Sequence, residues 1–198
     1  MLKKDFNLDP VAIHLHKVIP TGAGLGGGSA DGAFMLKMLN QHFKLGYGPE
    51  ALMDMALQLG SDCPFFILDQ PAHGQGRGEI LKPIPLSLSS WWLVLVNPGI
   101  HVSTKTAFSE VSPKPAPVDL ARKILEPAEG WKDWLHNDFE EPIFKIHPEI
   151  GSIKKALYAQ GASYASMTGT GSTVYGLFRT EPQPDLPTNY LVKKVCLK

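Results

Sequence analysis

The chain of 198 residues carries 19 Lys plus Arg against 19 Asp plus Glu, a formal net charge of zero. This length allows one large domain or two small ones with a core that needs no covalent staple, and the balanced charge gives no basis for a nucleic-acid or acidic-membrane partner. The two cysteines, Cys63 and Cys196, lie far apart without metal-ligand spacing, which argues against a disulfide framework and makes a reducing cytoplasm the expected location. No run reaches the ~18 apolar residues of a membrane span, and MLKKDFNLDP lacks the apolar stretch of a signal peptide.

In chain order, MLKKDF reads as the middle of an uncapped helix that NLDP ends at Pro10. VAIHLHKVIP alternates, which predicts a strand: Val11, Ile13 and Leu15 share one face, and His14 and His16 share the other as surface residues. By parity Lys17 joins the apolar face, as a buried cation. The stretch IPTGAGLGGGSADGAF then holds six glycines between Gly22 and Gly32. DGAFMLKMLNQHF predicts a helix with Leu36, Leu39 and Phe43 on one side and Gly46 as its stop, and GPEALMDMALQLG a second, with Pro49 in its first turn and Gly60 past its end. SDCP reads as a tight loop, FFIL as a short buried strand, and GQGRGE as a glycine turn before ILKPIPL.

Composition shifts near PLSLSS, which sets a domain boundary near residue 88, with domains 1–88 and 89–198. WWLVLVNPG predicts an apolar strand straddled by Trp91 and Trp92, one of them in the core. Helices are expected around 104–110, 118–125, 131–145 and 148–160. GASYASMTGTGSTVYGLF reads as strand, glycine turn, strand, and YLVKKVCL as a last, edge strand. The fold class is α+β, and the second half has the strand–helix–helix–strand–strand order of a ferredoxin-like layer.

Each glycine in residues 22–32 raises the entropy cost of folding, so the stretch needs a physical reason. Gly22, Gly24 and Gly27 fit the G-x-G-x-x-G pattern, but the acidic residue a dinucleotide fold needs about 20 residues on falls in a helix, near Glu50 and Asp54. Gly22 and Gly27 also frame a Walker-type loop, yet Gly28 stands where that motif needs lysine. What survives is strand, glycine loop, helix N-terminus: backbone N–H groups and a positive dipole end aimed at an anion. Ser29 is placed to cap the helix and donate to a phosphate oxygen.

PTGAGLGGGSAD (residues 20–31) resembles the second motif of the GHMP kinases, and four further stretches agree in order. GSDCPFF (60–66) is similar to the catalytic-aspartate loop, GRGEIL (76–81) to the glycine hairpin, NPGIHVSTKTAF (97–108) to the segment beside the nucleoside, and MTGTGS (167–172) to the third motif. The extended GLGGGS form resembles the branch that phosphorylates the 2-hydroxyl of 4-(cytidine 5′-diphospho)-2-C-methyl-D-erythritol, a step of non-mevalonate isoprenoid synthesis. The resemblance implies a GHMP-kinase two-domain architecture: a partial, S5-like N-terminal domain and a ferredoxin-like C-terminal domain. It also implies ATP and Mg²⁺ as cofactors, with a small-molecule substrate as partner.

Carried over residue by residue, the resemblance makes Asp62 the catalytic aspartate, which accepts the substrate proton or orients the hydroxyl; the alternative is a loop aspartate capping the next turn. It assigns the nucleotide to Lys17, Pro20, Gly22, Ala23, Gly24, Leu25, Gly26, Gly27, Gly28 and Ser29, with Gly169, Thr170 and Gly171 bracing that loop, and no protein metal ligands. Lys17 as a snorkelling strand-end residue, and MTGTGS as an ordinary hairpin turn, are the alternatives. Phe108 matches the aromatic that stacks on cytosine, against core packing of a helix residue; Thr104 contacts substrate or caps its helix; Asn137 and Asp138 resemble a structural Asn–Asp pair. Two departures stand out: Ala30 replaces a hydroxyl residue of the usual GGGSSDAA, and Gly32 inside a helix costs about 1 kcal/mol against alanine. The resemblance further implies several dozen residues ahead of Val11, with the first strands, a lysine and part of the substrate pocket, so a truncated chain with an exposed apolar sheet face is expected. The rival readings are a catalytically impaired nucleotide-binding fragment and another GHMP small-molecule kinase.

Overall fold

The computed structural model describes residues 8–112, 116 and 118–198, so the helix read into MLKKDF lies outside the described residues. Contacts divide the chain into two compact units, one of residues 1–20 and 26–84, the other of residues 21–25 and 85–198.

Among the described residues the first unit has three helices and a hairpin. Helix α1 (Gly27–His42) and helix α2 (Pro49–Leu59) follow their apolar spacing, with Pro49 opening α2 and Gly60 at its C-cap. Helix α3 (Cys63–Leu68) comes next, so FFIL is helical rather than a strand. Four apolar residues carry no period that separates the two states; Pro64 in the first turn and the packing of Cys63 and Ile67 against Ala33, Leu36, Leu52 and Ala56 decide for helix. Strands β1 (Ala72–Gln75) and β2 (Ile80–Pro83) form an antiparallel hairpin around the glycine turn. Residues 11–18 form no strand: they pair with neither sheet, and Val11, Ile13, Leu15 and Val18 are all exposed. Alternation records which side chains want cover, but a strand also needs a ladder partner, and none exists among the described residues.

The second unit is built on a four-stranded antiparallel sheet in the order β4-β5-β3-β6, formed by β3 (Trp92–Asn97), β4 (Tyr164–Met167), β5 (Val174–Phe178) and the edge strand β6 (Leu191–Cys196). This is the ferredoxin-like strand order. The first crossover carries α4 (Thr104–Ser109), α5 (Leu120–Lys123), a 3₁₀ turn (Ala128–Asp133), α6 (Glu140–Ile146) and α7 (Pro148–Ala159); between β5 and β6 the described residues form no helix. The helix expected over 131–145 is therefore broken in two, because residues 134–139 leave the helical path before α6 starts. Ile150, Ile153 and Leu157 of α7 pack with Val94 and Val96 on one face of the sheet, while Trp91, Trp131, Tyr164 and Leu177 fill the other. Trp91 is buried there and Trp92 lies against the opposite cluster, so the tryptophan pair straddles the sheet.

Candidate active site

In the second unit, residues 21–25 and 168–173 form two loops locked to each other. Gly22 and Gly24 have φ of 73° and 75°, the left-handed region that other residues rarely adopt. A Cβ on Gly24 would stand 2.2 Å from the Thr168 carbonyl oxygen and 2.8 Å from that of Gly171, so only glycine lets the loops meet. The Thr168 hydroxyl donates to the Gly24 carbonyl at 3.0 Å, and the Thr173 N–H donates to the Ala23 carbonyl at 3.2 Å. A free-standing hairpin turn makes no such bonds.

The bracing loop is itself held from two sides. Asn137 Nδ2 donates to the carbonyls of Met167 (2.8 Å) and Gly169 (2.7 Å). Asn97 Nδ2 donates to Thr173 Oγ1 at 2.9 Å, and the Ser172 hydroxyl donates to the Ile100 carbonyl at 2.5 Å. Asn97, Ser172 and Thr173 are buried, and no buried side-chain polar atom among the described residues lacks a partner. In the low dielectric of the interior such a fully satisfied network fixes one arrangement of the loop. Asn97, Ser172, Thr173 and His101, whose ring lies 3.0 Å from where a Gly22 Cβ would sit, are contacts that motif reading missed; a buried asparagine at a strand end leaves no periodic trace in sequence.

In the first unit, the N-cap of α1 is Gly26, with φ of 63°, and no side chain caps the helix. Ser29 therefore sits inside the first turn and is not the cap expected of it. The first i−4 bond runs from Ala30 N to Gly26 O at 2.9 Å, so the N–H groups of Gly27, Gly28 and Ser29 precede it and have no helical acceptor. Gly27 and Gly28 are not left-handed, and a Cβ on Gly28 would meet nothing within 4 Å. Neither backbone strain nor crowding by the described residues explains a glycine at position 28; it leaves open space at a helix start. Lys17 is exposed rather than buried, because residues 11–18 form no covered strand; it pairs with Asp31, and its Nζ lies 3.7 Å from where a Gly27 Cβ would be.

Asp62 stands at the N-cap position of α3 without making a side-chain cap bond, which removes the capping explanation for it. Its carboxylate has no hydrogen-bond or ion-pair partner among the described residues. Gly78, at φ 106°, brings the hairpin turn close: a Cβ there would be 3.0 Å from Asp62 Oδ1. In the same turn the backbone N–H groups of Glu79 and Arg77 hold the Glu79 carboxyl below the usual range.

Further along the second unit, Ser103 caps α4 by accepting from Thr106 N at 3.3 Å, so Thr104 is not the cap. Phe108 is 63% exposed, which rules out core packing, and its ring meets Phe139 edge-on at 4.9 Å between centroids. A cleft of about 740 Å³ bordered by Lys132, Lys154 and Tyr158 contains none of the predicted residues.

Family models for the GHMP kinases N terminal domain and the GHMP kinases C terminal match residues 1–70 and 120–192. A 4-diphosphocytidyl-2-C-methyl-D-erythritol kinase of Bacteroides thetaiotaomicron is 48% identical over 100% of this chain and 72% of its own length. The chain belongs to the GHMP kinase family. A Bacteroides fragilis protein of the same name is 49% identical over 91% of this chain and 66% of its own length. A solved 4-(cytidine 5′-diphospho)-2C-methyl-D-erythritol kinase aligns with a TM-score of 0.65 at 34% identity, covering 81% of this chain and 59% of that one. This GHMP kinase chain thus spans 59–72% of the lengths of these three relatives. A homoserine kinase from Cytophaga hutchinsonii, at 16% identity and a TM-score of 0.61, shares the fold.

Proposed function

We propose that this chain transfers the γ-phosphoryl group of ATP to the 2-hydroxyl of 4-(cytidine 5′-diphospho)-2-C-methyl-D-erythritol. The observation that carries the reading is the start of α1, where Gly28 leaves open a space that no described residue fills, beside N–H groups without a helical acceptor. A polyphosphate suits such a helix start by charge, and the missing side chain lets it approach the backbone. The names of the relatives supply the substrate.

In this reading the N–H groups of Gly27, Gly28 and Ser29 hold phosphate oxygens, and Lys17 adds positive charge beside them. The braced loop at Gly22–Leu25 keeps its shape as the nucleotide arrives, so binding energy is not spent on ordering it. Asp62 holds the substrate hydroxyl and takes its proton as the new P–O bond forms and ADP leaves. Phe108 offers an exposed ring for the cytosine face. Among the described residues no three Asp, Glu, His or Cys side chains converge. Mg²⁺ belongs to this reading as the counter-ion that ATP brings, and no step above depends on a protein metal site. The reading places the reaction in the cytoplasm.

ADP release is measured with Mg-ATP and the cytidyl-methylerythritol substrate, on the chain as it stands and on Asp62→Asn. Turnover by the wild-type chain that falls at least 100-fold in the variant is expected. A folded chain that binds ATP without turnover favours the impaired nucleotide-binding reading, and turnover of homoserine or a mevalonate instead favours another kinase of the family.

A further inference from the structure

We infer that Phe139 is a positioning residue for the nucleoside end of the substrate, acting through Phe108. The inference rests on the reading above, in which Phe108 stacks on cytosine.

Phe108 belongs to α4, a helix of only six residues. At 63% exposure its ring has little of the chain around it, and an exposed aromatic on a short helix samples several rotamers. Stacking on a base needs one of them. The ring contact recorded for Phe108 is with Phe139, at 4.9 Å between centroids and 70° between planes, an edge-to-face pair.

Phe139, unlike Phe108, is rooted. It is half-buried against the core cluster of Val94, Ile143 and Ile150. Its backbone is pinned on both sides. Before it, Asn137 Oδ1 accepts from Phe139 N at 2.9 Å while Asn137 Nδ2 holds the Met167 and Gly169 carbonyls. After it, the buried Glu140 carboxylate accepts from Ser166 Oγ (2.9 Å), Met167 N (2.8 Å) and Lys154 Nζ (2.5 Å). The corner at 137–140 is thus tied to strand β4 and to the loop that braces Gly24. A fixed ring beside a mobile one narrows the mobile one's rotamers before the base arrives, so less ordering remains to be done on binding. Phe139 touches no substrate in this account; its effect exists only while Phe108 is present.

That dependence defines the test. The dissociation constant of CDP, with Mg-ATP as the comparison ligand, is measured calorimetrically on the wild-type chain, Phe108→Ala, Phe139→Ala and the double variant, with Phe139→Leu to keep core volume if the alanine variant unfolds. Phe108→Ala is expected to weaken CDP about tenfold and Phe139→Ala about three- to fivefold, with Mg-ATP affinity unchanged in both. The double variant should bind CDP as Phe108→Ala does, with no further loss. Loss of CDP binding by the same factor whether or not Phe108 is present, or parallel loss of Mg-ATP, means that Phe139 is merely structural. A Phe139 variant that binds CDP as the wild type does, while Phe108→Ala is weakened, overturns the inference alone. CDP that ignores Phe108, or does not bind the wild-type chain, overturns the reading beneath it as well.

Discussion

Six glycines between Gly22 and Gly32 serve at least three physical ends. Gly22, Gly24 and Gly26 are left-handed, and Gly24 is also pressed against the Thr168 and Gly171 carbonyls. Gly28 is neither strained nor crowded. Alanine should separate these roles. Gly24→Ala meets backbone oxygen at 2.2 Å and a forbidden φ, so it should destabilise the fold by several kcal/mol. Gly28→Ala gains helix propensity, about 0.5–1 kcal/mol, and should leave the melting temperature unchanged or raised. Yet it puts a methyl group where phosphate is proposed to lie, so Mg-ATP affinity should fall at least tenfold. Thermal melts and nucleotide titration of the two variants check this, and a Gly28→Ala chain with unaltered ATP affinity removes the phosphate from that position. The sequence announced that glycine was needed in this stretch. Which glycine serves which end depends on φ and on atoms from residues 168–171, and neither is written locally.

At the level of elements, helical apolar spacing located α1 and α2, which bury Ala33, Leu36, Leu52 and Ala56, and the long apolar run WWLVLV located β3; α7 and the closing edge strand also lie where the sequence placed them. Short apolar runs did not declare themselves. FFIL became α3 because Pro64 and the contacts of Cys63 and Ile67 favour a helix there, and 131–145 split because residues 134–139 leave the helical path. The Asn137–Asp138 pair resembles a structural one in sequence, but what Asn137 supports depends on Met167 and Gly169, 30 and 32 residues away. Glu140, the anchor of the same corner, gave no sequence signal, since a carboxylate at a helix start is ordinarily a solvated one. Here it is buried and satisfies a backbone N–H, a hydroxyl and an ammonium. Glu140→Ala leaves the Met167 N–H and Lys154 without their partner and should cost about 2–4 kcal/mol. Glu140→Gln keeps an acceptor for Met167 N but loses the ion pair, and should cost less. Urea denaturation of both measures the difference, and equal costs would mean that the ion pair contributes nothing.

Across the whole molecule, the two units differ in how much they bury. Among the described residues the first unit has one cluster built on Ala33, Leu36, Leu52, Ala56, Cys63 and Ile67. The second packs both faces of its sheet, with Ile143, Ile150, Leu157 and Val94 on one side and Trp91, Trp131 and Tyr164 on the other. Local stability follows buried apolar contact. Amide hydrogen exchange should therefore be slowest in β3, β4 and β5, faster through α1 and α2, and fastest in residues 11–18, whose Val11, Ile13, Leu15 and Val18 are exposed and unpaired. Mg-ATP gives the ordering its functional content. A ligand that binds only the folded state stabilises it by about 2.7 kcal/mol at a hundredfold excess over its dissociation constant. If the phosphates engage the start of α1, the gain in protection should concentrate in residues 22–33 and their α3 neighbours, with little change in the already slow sheet. Uniform slowing across both units would instead mean that exchange proceeds through global unfolding, and that the first unit is as stable as the second despite its smaller core.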